Sequence, residues 1–338
     1  ADGGTIKLDG NYPTGTGNVA LGNTALDSLT SGTNNTALGS ASLTTTSSGS
    51  NNVAVGFNAL TANTTAGYNV AFGTNTLAGN TTGSENAVFG GAAALANTTG
   101  TGLTGAGYTA LRFNTTGNYN TAVGDAALYS NTTASNNTAV GYQSLYANTT
   151  GSSLVAVGKG ALDANTTATS NVAIGVDALG GTTTGSDNNA MGRGTLISNT
   201  SGANNTALGS NALQSNTTAS NNTAVGYQSL YDNTTGTQNT ATGTNSLHSN
   251  TTGNYNTAVG YTALSSSTTG DRNTAIGSYS LNDNTTGASN TALGISAVQN
   301  NTSGTFNTGI GDRALDVNTV GSYNTSVGGF ALFSNTTA

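Results

Sequence analysis

Seventeen residues separate Asn18 from Asn35 and Asn35 from Asn52, and the same step continues through nineteen copies to Asn324. At that phase only Leu103 and Leu154 depart from Asn. The unit reads N-T-A-V-G-x-x-A-L-x-x-N-T-T-G-x-x, and its positions are numbered p1 to p17. A constant period means one short supersecondary unit stacked on copies of itself, each burying its apolar side chains against its neighbours. Equivalent residues of successive copies then form columns.

The phases of the unit differ sharply. Position p5 is Gly in all nineteen copies, among them Gly56, Gly73 and Gly90. Position p9 is Leu in seventeen, including Leu60, Leu77, Leu111 and Leu128, with Ala94 and Val298 as exceptions. Alternation along a strand puts p2 and p4 on one face and p1, p3 and p5 on the other. The first face is β-branched and apolar, so it is expected inside. The second reads Asn-Ala-Gly and is expected to be flat enough for another sheet to approach. Asn, Thr and Gly recur too densely for a helix, and no 3.6-residue apolar stripe is present. Asn-Thr-Thr-Gly at p12–p15 is turn chemistry. These readings predict an all-β parallel β-solenoid, or β-roll, of nineteen 17-residue rungs over residues 18–338. Each rung has a strand at p1–p5, a second extended piece around p8–p14 and two bends.

Charge obeys the same phasing. Charged residues are 6% of the chain, against about 25% in ordinary domains, and the net charge is −7. Beyond residue 17 they fall only at p6, p7, p10, p11, p16 and p17, for example Asp125, Asp177, Asp163, Asp232, Asp271 and Glu85. Buried unpaired charge is costly, so these phases mark the solvent side. Apolar residues at fixed phases and a small net charge argue against a disordered low-complexity chain. No run of 18 apolar residues predicts a membrane span, and no basic cluster predicts nucleic-acid binding. The chain has no Cys. It begins Ala1-Asp2 with Met191 as its one methionine, which suggests signal-peptide cleavage and an extracellular protein.

The apolar content of one rung is thin, so burial between chains is expected to help: a homo-oligomer, either a trimer or a head-to-tail filament. Residues 1–17 form a half-rung or extension. Thr5, Ile6, Lys7 and Leu8 alternate enough to be a strand added to a neighbouring subunit, and Ala338 is the opposite end of that expected junction.

Chemistry is sparse. His248 has no second His or Cys to work with, and the aspartates are scattered, so no catalytic residue, cofactor or metal ligand is assigned. Gly105-Ala106-Gly107-Tyr108-Thr109-Ala110 matches a dinucleotide fingerprint by letter but lies inside one rung. The p12 asparagines, among them Asn63, Asn80, Asn97, Asn114, Asn131 and Asn148, are expected to form a stacked amide ladder. Most of them also head Asn-x-Ser/Thr glycosylation sequons. Thr at p13 in eighteen copies is the pattern of an ordinary ladder or of an ice-binding surface. Tyr142, Tyr146, Tyr227, Tyr231 and Tyr261 are candidate surface contacts, suited to stacking on glycans or on neighbouring rungs. Residues 130–151 and 215–236 are identical except for Ala147 against Asp232. A length-tolerant array accepts such a duplication.

The run Asn-Thr-Ala-Val-Gly with following Ala-Leu resembles the β-roll heads of trimeric autotransporter adhesins. Residues 137–151 and 222–236 are similar to arrays in bacterial surface and phage tail-fibre-like proteins. The adhesin-head repeat is shorter than the present one. The resemblance implies an extracellular, cell-surface or virion fibre used for attachment. The expected role is therefore a structural, self-assembling fibre subunit with itself, and surface glycans, as partners. A dedicated glycan- or ice-binding module is the second expectation, and a polysaccharide-cleaving tail spike the third.

Overall fold

The computed structural model describes residues 15–337. Within them lie nineteen strands and no helix. The expected assembly residues Thr5, Ile6, Lys7, Leu8 and Ala338 lie outside the described residues. The chain divides into two compact units at Ala168/Thr169. The first carries β1 (Val19–Leu21) to β9 (Val155–Val157), and the second β10 (Val172–Ile174) to β19 (Thr325–Val327). Both units are parallel β-solenoids.

Every strand is three residues long and occupies p2–p4. In the first unit β1 pairs in parallel with β2 (Thr36–Leu38), with Val19 opposite Thr36, Ala20 opposite Ala37 and Leu21 opposite Leu38. In the second, β10 pairs in the same register with β11 (Asn189–Met191). The expected second extended piece at p8–p14 is absent as a strand. Those residues form turns, because p7 and p9 take left-handed conformations, as at Asn58 (φ 56°) and Leu60 (φ 51°). Such backbone reverses the chain rather than extending it.

The turns are nonetheless bonded rung to rung. Leu60 N–H donates to Thr76 O at 3.0 Å, Ala62 N–H to Ala78 O at 3.1 Å and Thr64 N–H to Thr81 O at 3.0 Å. Backbone pairing therefore continues through most of the rung, which satisfies groups that would otherwise be buried without partners.

The interior reverses one expectation. Ala37, Ala54 and Ala71 at p3 are fully buried, as are Asn35, Asn52 and Asn69 at p1. The apolar p4 side chains point outward: Leu38, Phe72, Phe89 and Val123 in the first unit, Met191, Leu208, Ile276 and Leu293 in the second. The interior of a 17-residue rung is narrow. In most rungs it takes one Leu, at p9, fully buried at Leu60, Leu77, Leu111 and Leu128, and Leu103 and Leu154 at p1 add a second buried Leu to their rungs. Facing the p9 residue, p3 is Ala in most rungs, and where p9 is only Ala94 the p3 residue is the larger Val88, fully buried. Asn fits at p1 because its polar atoms are bonded along the stack, not because it is apolar.

Two columns of amides fill the remaining interior. At p12, Asn97 Nδ2 donates to Asn80 Oδ1 at 2.7 Å and to Gly100 O at 3.0 Å. Asn114 Nδ2 donates to Asn97 Oδ1 at 2.8 Å and Asn131 Nδ2 to Asn114 Oδ1 at 2.7 Å. Asn80 and Asn148 make the same bonds to Asn63 and Asn131. At p1 the link differs: Asn52 N–H donates to Asn35 Oδ1 at 3.0 Å while Asn52 Nδ2 reaches Ala66 O at 2.9 Å. In these rungs each amide uses both its oxygen and its nitrogen, which makes a buried polar column tolerable.

Glycine at p5 closes the strand. Its φ lies between +116° and +146° in every rung, a region essentially confined to Gly. Gly at p15 has no such φ, and Ala66, Ala134 and Ala219 take its place in other rungs. Backbone conformation, not crowding, separates the two glycine phases.

Candidate functional site

Three rows of side chains face outward. The first is the strand face. Its p4 residues are from about one third to more than half exposed, with Leu38 at 44%, Phe72 at 54% and Leu293 at 45%. Between them run the p2 residues, such as Thr121 and Thr138 in the first unit and Thr223 and Thr274 in the second, half-buried at the rung interface. Because every strand pairs in register, this face repeats at the parallel strand spacing of about 4.8 Å.

The second row is the turn face at p6, p7, p10 and p11. It carries the candidate tyrosines. Tyr142, Tyr227 and Tyr261 at p6 are about half exposed. Tyr261 meets Tyr279 edge to face at 5.4 Å. At p10, Tyr146 is stacked on Tyr129 at 5.0 Å, and Tyr231 on His248 at 5.1 Å. His248 Nδ1 lies 3.9 Å from Asp232 Oδ2. The structure thus separates the p6 tyrosines, which project, from the p10 tyrosines, which stack along the axis.

The third row is the p13–p17 edge. The p13 threonines are committed to backbone: Thr81 Oγ1 donates to Thr98 O at 3.0 Å, and Thr98 Oγ1 to Thr115 O at 3.0 Å. The exposed aromatics of this edge are at p17, including Tyr68, Tyr119, Tyr255 and Tyr323. Phe306 and Tyr323 stack at 5.1 Å.

No protein-family model and no curated protein matches this chain.

Among the described residues no group of three or more His, Cys, Asp or Glu side chains converges as a metal cage would, and no helix is long and apolar enough to cross a membrane. Of the aspartates, Asp316 stands apart. It is buried, and desolvation raises its pKa above the ordinary 3.8. Arg313 opposes that rise, and Asp312 and Asp283 add to it. Asn300 Nδ2 donates to its Oδ1 at 3.3 Å.

One depression, of about 400 Å³, was not legible in the repeat pattern. It lies in the second unit, on the turn face. Its lining comes from four successive rungs: Val176 and Asp177, then Arg193, Gly194 and Ile197, then Asn211 and Gln214, then Tyr231. The one signal for it in the sequence is Gly194 at p7, where only Gly160 also lacks a side chain.

Proposed function

We propose that the chain is a structural subunit of an extracellular fibre with an attachment role, and that its copies associate through the outward strand face. The observation that carries this reading is the exposed apolar row at p4. Monomeric soluble proteins rarely leave contiguous apolar patches larger than about a few hundred Å². Here the row runs along each unit, reduced to a methyl at Ala106 in the first and interrupted by Thr242 in the second, and all of its members stand outside a closed backbone ladder.

A second copy is the occupant that fits it best. Two identical faces carry the same axial repeat, so apolar side chains of one can seat between those of the other in every rung at once. An unrelated partner would fall out of step within a few rungs. The residues beside the row are Thr and small aliphatics rather than charges, so close approach costs little desolvation. Interfaces of stable complexes bury roughly 800 Å² per partner, within reach of a face nine or ten strands wide. The solenoid suits a mechanical role, because its rungs are joined by backbone bonds and buried amide columns, which resist force and proteolysis. The projecting aromatics at p6 and p17 suit adhesion.

Sedimentation and electron microscopy of the purified chain test this. Trimers or filaments are expected. Lys in place of Leu38, Phe72 and Val123, which point to solvent in a single chain, is expected to release monomers with unchanged circular dichroism. A native chain that remains monomeric at tens of micromolar would overturn the reading.

A further inference from the structure

We propose that the depression on the turn face of the second unit is a saccharide subsite, which takes about two rings of a neutral oligosaccharide. This deepens the attachment part of the fibre reading and rests on it.

The argument begins with a pair of near-identical segments. Residues 130–151 and 215–236 differ only at Ala147 and Asp232, so Tyr146 and Tyr231 occupy the same phase in the same local sequence. Their ring environments nevertheless differ. In the rung before Tyr146 the p10 residue is Tyr129, which covers the ring at 5.0 Å and 12°. In the rung before Tyr231 the p10 residue is Gln214, which lines the depression together with Tyr231. His248, from the following rung, stacks on Tyr231 at 5.1 Å and 9°. One ring face is thereby held rigid by a neighbour, and the other is left to the groove. The ring face toward the preceding rung is thus covered in Tyr146 and left to the groove in Tyr231.

The floor is made by an omission. Gly194 sits at p7 with φ 63°. Its neighbours at p7, Asp177 and Asn211, adopt φ 57° and 58° with side chains. A Cβ on Gly194 would stand 2.8 Å from Asn211 Oδ1, so the missing side chain lets the Asn211 amide lie down over this rung, and any residue larger than Gly would push it out into the depression. The floor is rigid, since Gly194 N–H donates to Val176 O at 3.0 Å and Asn211 N–H to Arg193 O at 2.9 Å.

The walls match sugar chemistry. Arg193 offers only donors, Asp177 only acceptors, and Asn211 and Gln214 offer both. Hydroxyls of a pyranose donate and accept in turn, and its C–H face packs on an aromatic ring. One cation beside one anion leaves no net charge to select phosphate or sulfate. Among the described residues no carboxylate pairs with the Arg193 guanidinium. The volume falls within the range of ligand sites, ~300–1,000 Å³, and the lining spans four successive rungs.

Saturation-transfer NMR of the full chain with maltose, cellobiose, lactose and N,N′-diacetylchitobiose tests this. At least one is expected to show transfer at millimolar concentration. Tyr231→Ala is expected to weaken that binding about tenfold, as loss of one aromatic contact does. Gly194→Asn, the residue that the next rung carries at the same φ, is expected to abolish it while leaving circular dichroism unchanged. Tyr146→Ala, in the twin segment whose ring does not line the depression, is expected to leave binding unaltered. Absence of transfer from all four sugars, or equal transfer in Gly194→Asn and the native chain, would overturn the site. Sedimentation of the same samples separates the two ideas. A native chain that assembles but transfers nothing sinks the subsite alone, and a sugar-binding monomer sinks the assembly reading alone.

Discussion

Asn250 Oδ1 and Ser267 Oγ occupy the same phase in adjacent rungs, both fully buried, and neither has a hydrogen-bond partner. Ser267 interrupts the p12 amide column. Asn250 itself is held from the other side, by donation to Asn233 Oδ1 at 2.8 Å and Gly253 O at 3.0 Å. Beyond the gap, Asn284 Nδ2 bonds Gly287 O at 2.9 Å.

Ser267→Asn should close the gap. The new amide would donate to Asn250 Oδ1 and accept from Asn284 Nδ2, which removes two unsatisfied buried atoms. We expect a gain of about 1–2 kcal/mol, read as a higher urea midpoint. The mirror experiment is Asn131→Ala, which deletes bonds to Asn114, Ala134 and Asn148 and should cost about 3 kcal/mol. A neutral Ser267→Asn would mean that the column contributes nothing net.

Gly73 and Gly83 look alike in sequence and should behave differently. Gly73 has φ 137°, and a Cβ there would stand 2.7 Å from Gly90 O. Ala at this position should cost about 1–3 kcal/mol from the backbone conformation alone, with overlap added. A Cβ on Gly83 would also crowd Gly100 O, but Gly83 is at p15, without a positive φ, where Ala66, Ala134 and Ala219 are accommodated in other rungs, so Gly83→Ala should change stability by less than about 1 kcal/mol. Thermal melts of the two variants side by side decide the point, and equal losses would contradict the assignment of strain to φ.

The p12 sequons should remain bare in the folded chain. Asn63, Asn148 and Asn250 are fully buried, and a glycan on Nδ2 would displace a donor that the ladder needs. Expression in a glycosylating host should give soluble protein of unmodified mass at these positions. Glycopeptides from p12 in protease-resistant material would refute the ladder.

Asp316 makes stability depend on pH. Burial raises its folded pKa above the unfolded 3.8, so the folded state holds the proton more tightly. Stability therefore falls as pH rises through the window from 3.8 to the folded value, and the loss persists at neutral pH. Asp316→Asn keeps the oxygen that accepts from Asn300 and cannot ionise. It should raise the melting temperature at pH 7 and make no difference well below pH 3.8. A variant less stable at neutral pH would show that attraction to Arg313 outweighs desolvation.

Much of the architecture was legible because period and register are properties of the chain itself. Identical phases every 17 residues force parallel, one-for-one pairing, and charges confined to six phases mark the turns and edges as solvent-facing. Gly at p5 and Leu at p9 were readable as structural because both phases are nearly invariant. Alternation, however, divides p1–p5 into two faces without saying which is inside. Hydropathy assigns Val and Phe at p4 to the core, and the fold reverses that. The p9 Leu and the p1 and p12 residues already fill the interior of a rung, and an Asn whose amide is bonded along the stack costs little to bury. The fate of each tyrosine was equally out of reach. Tyr146 and Tyr231 share their local sequence, and the side chain one rung away sets which ring face is covered, because contact in a solenoid is made across the stack rather than along the chain.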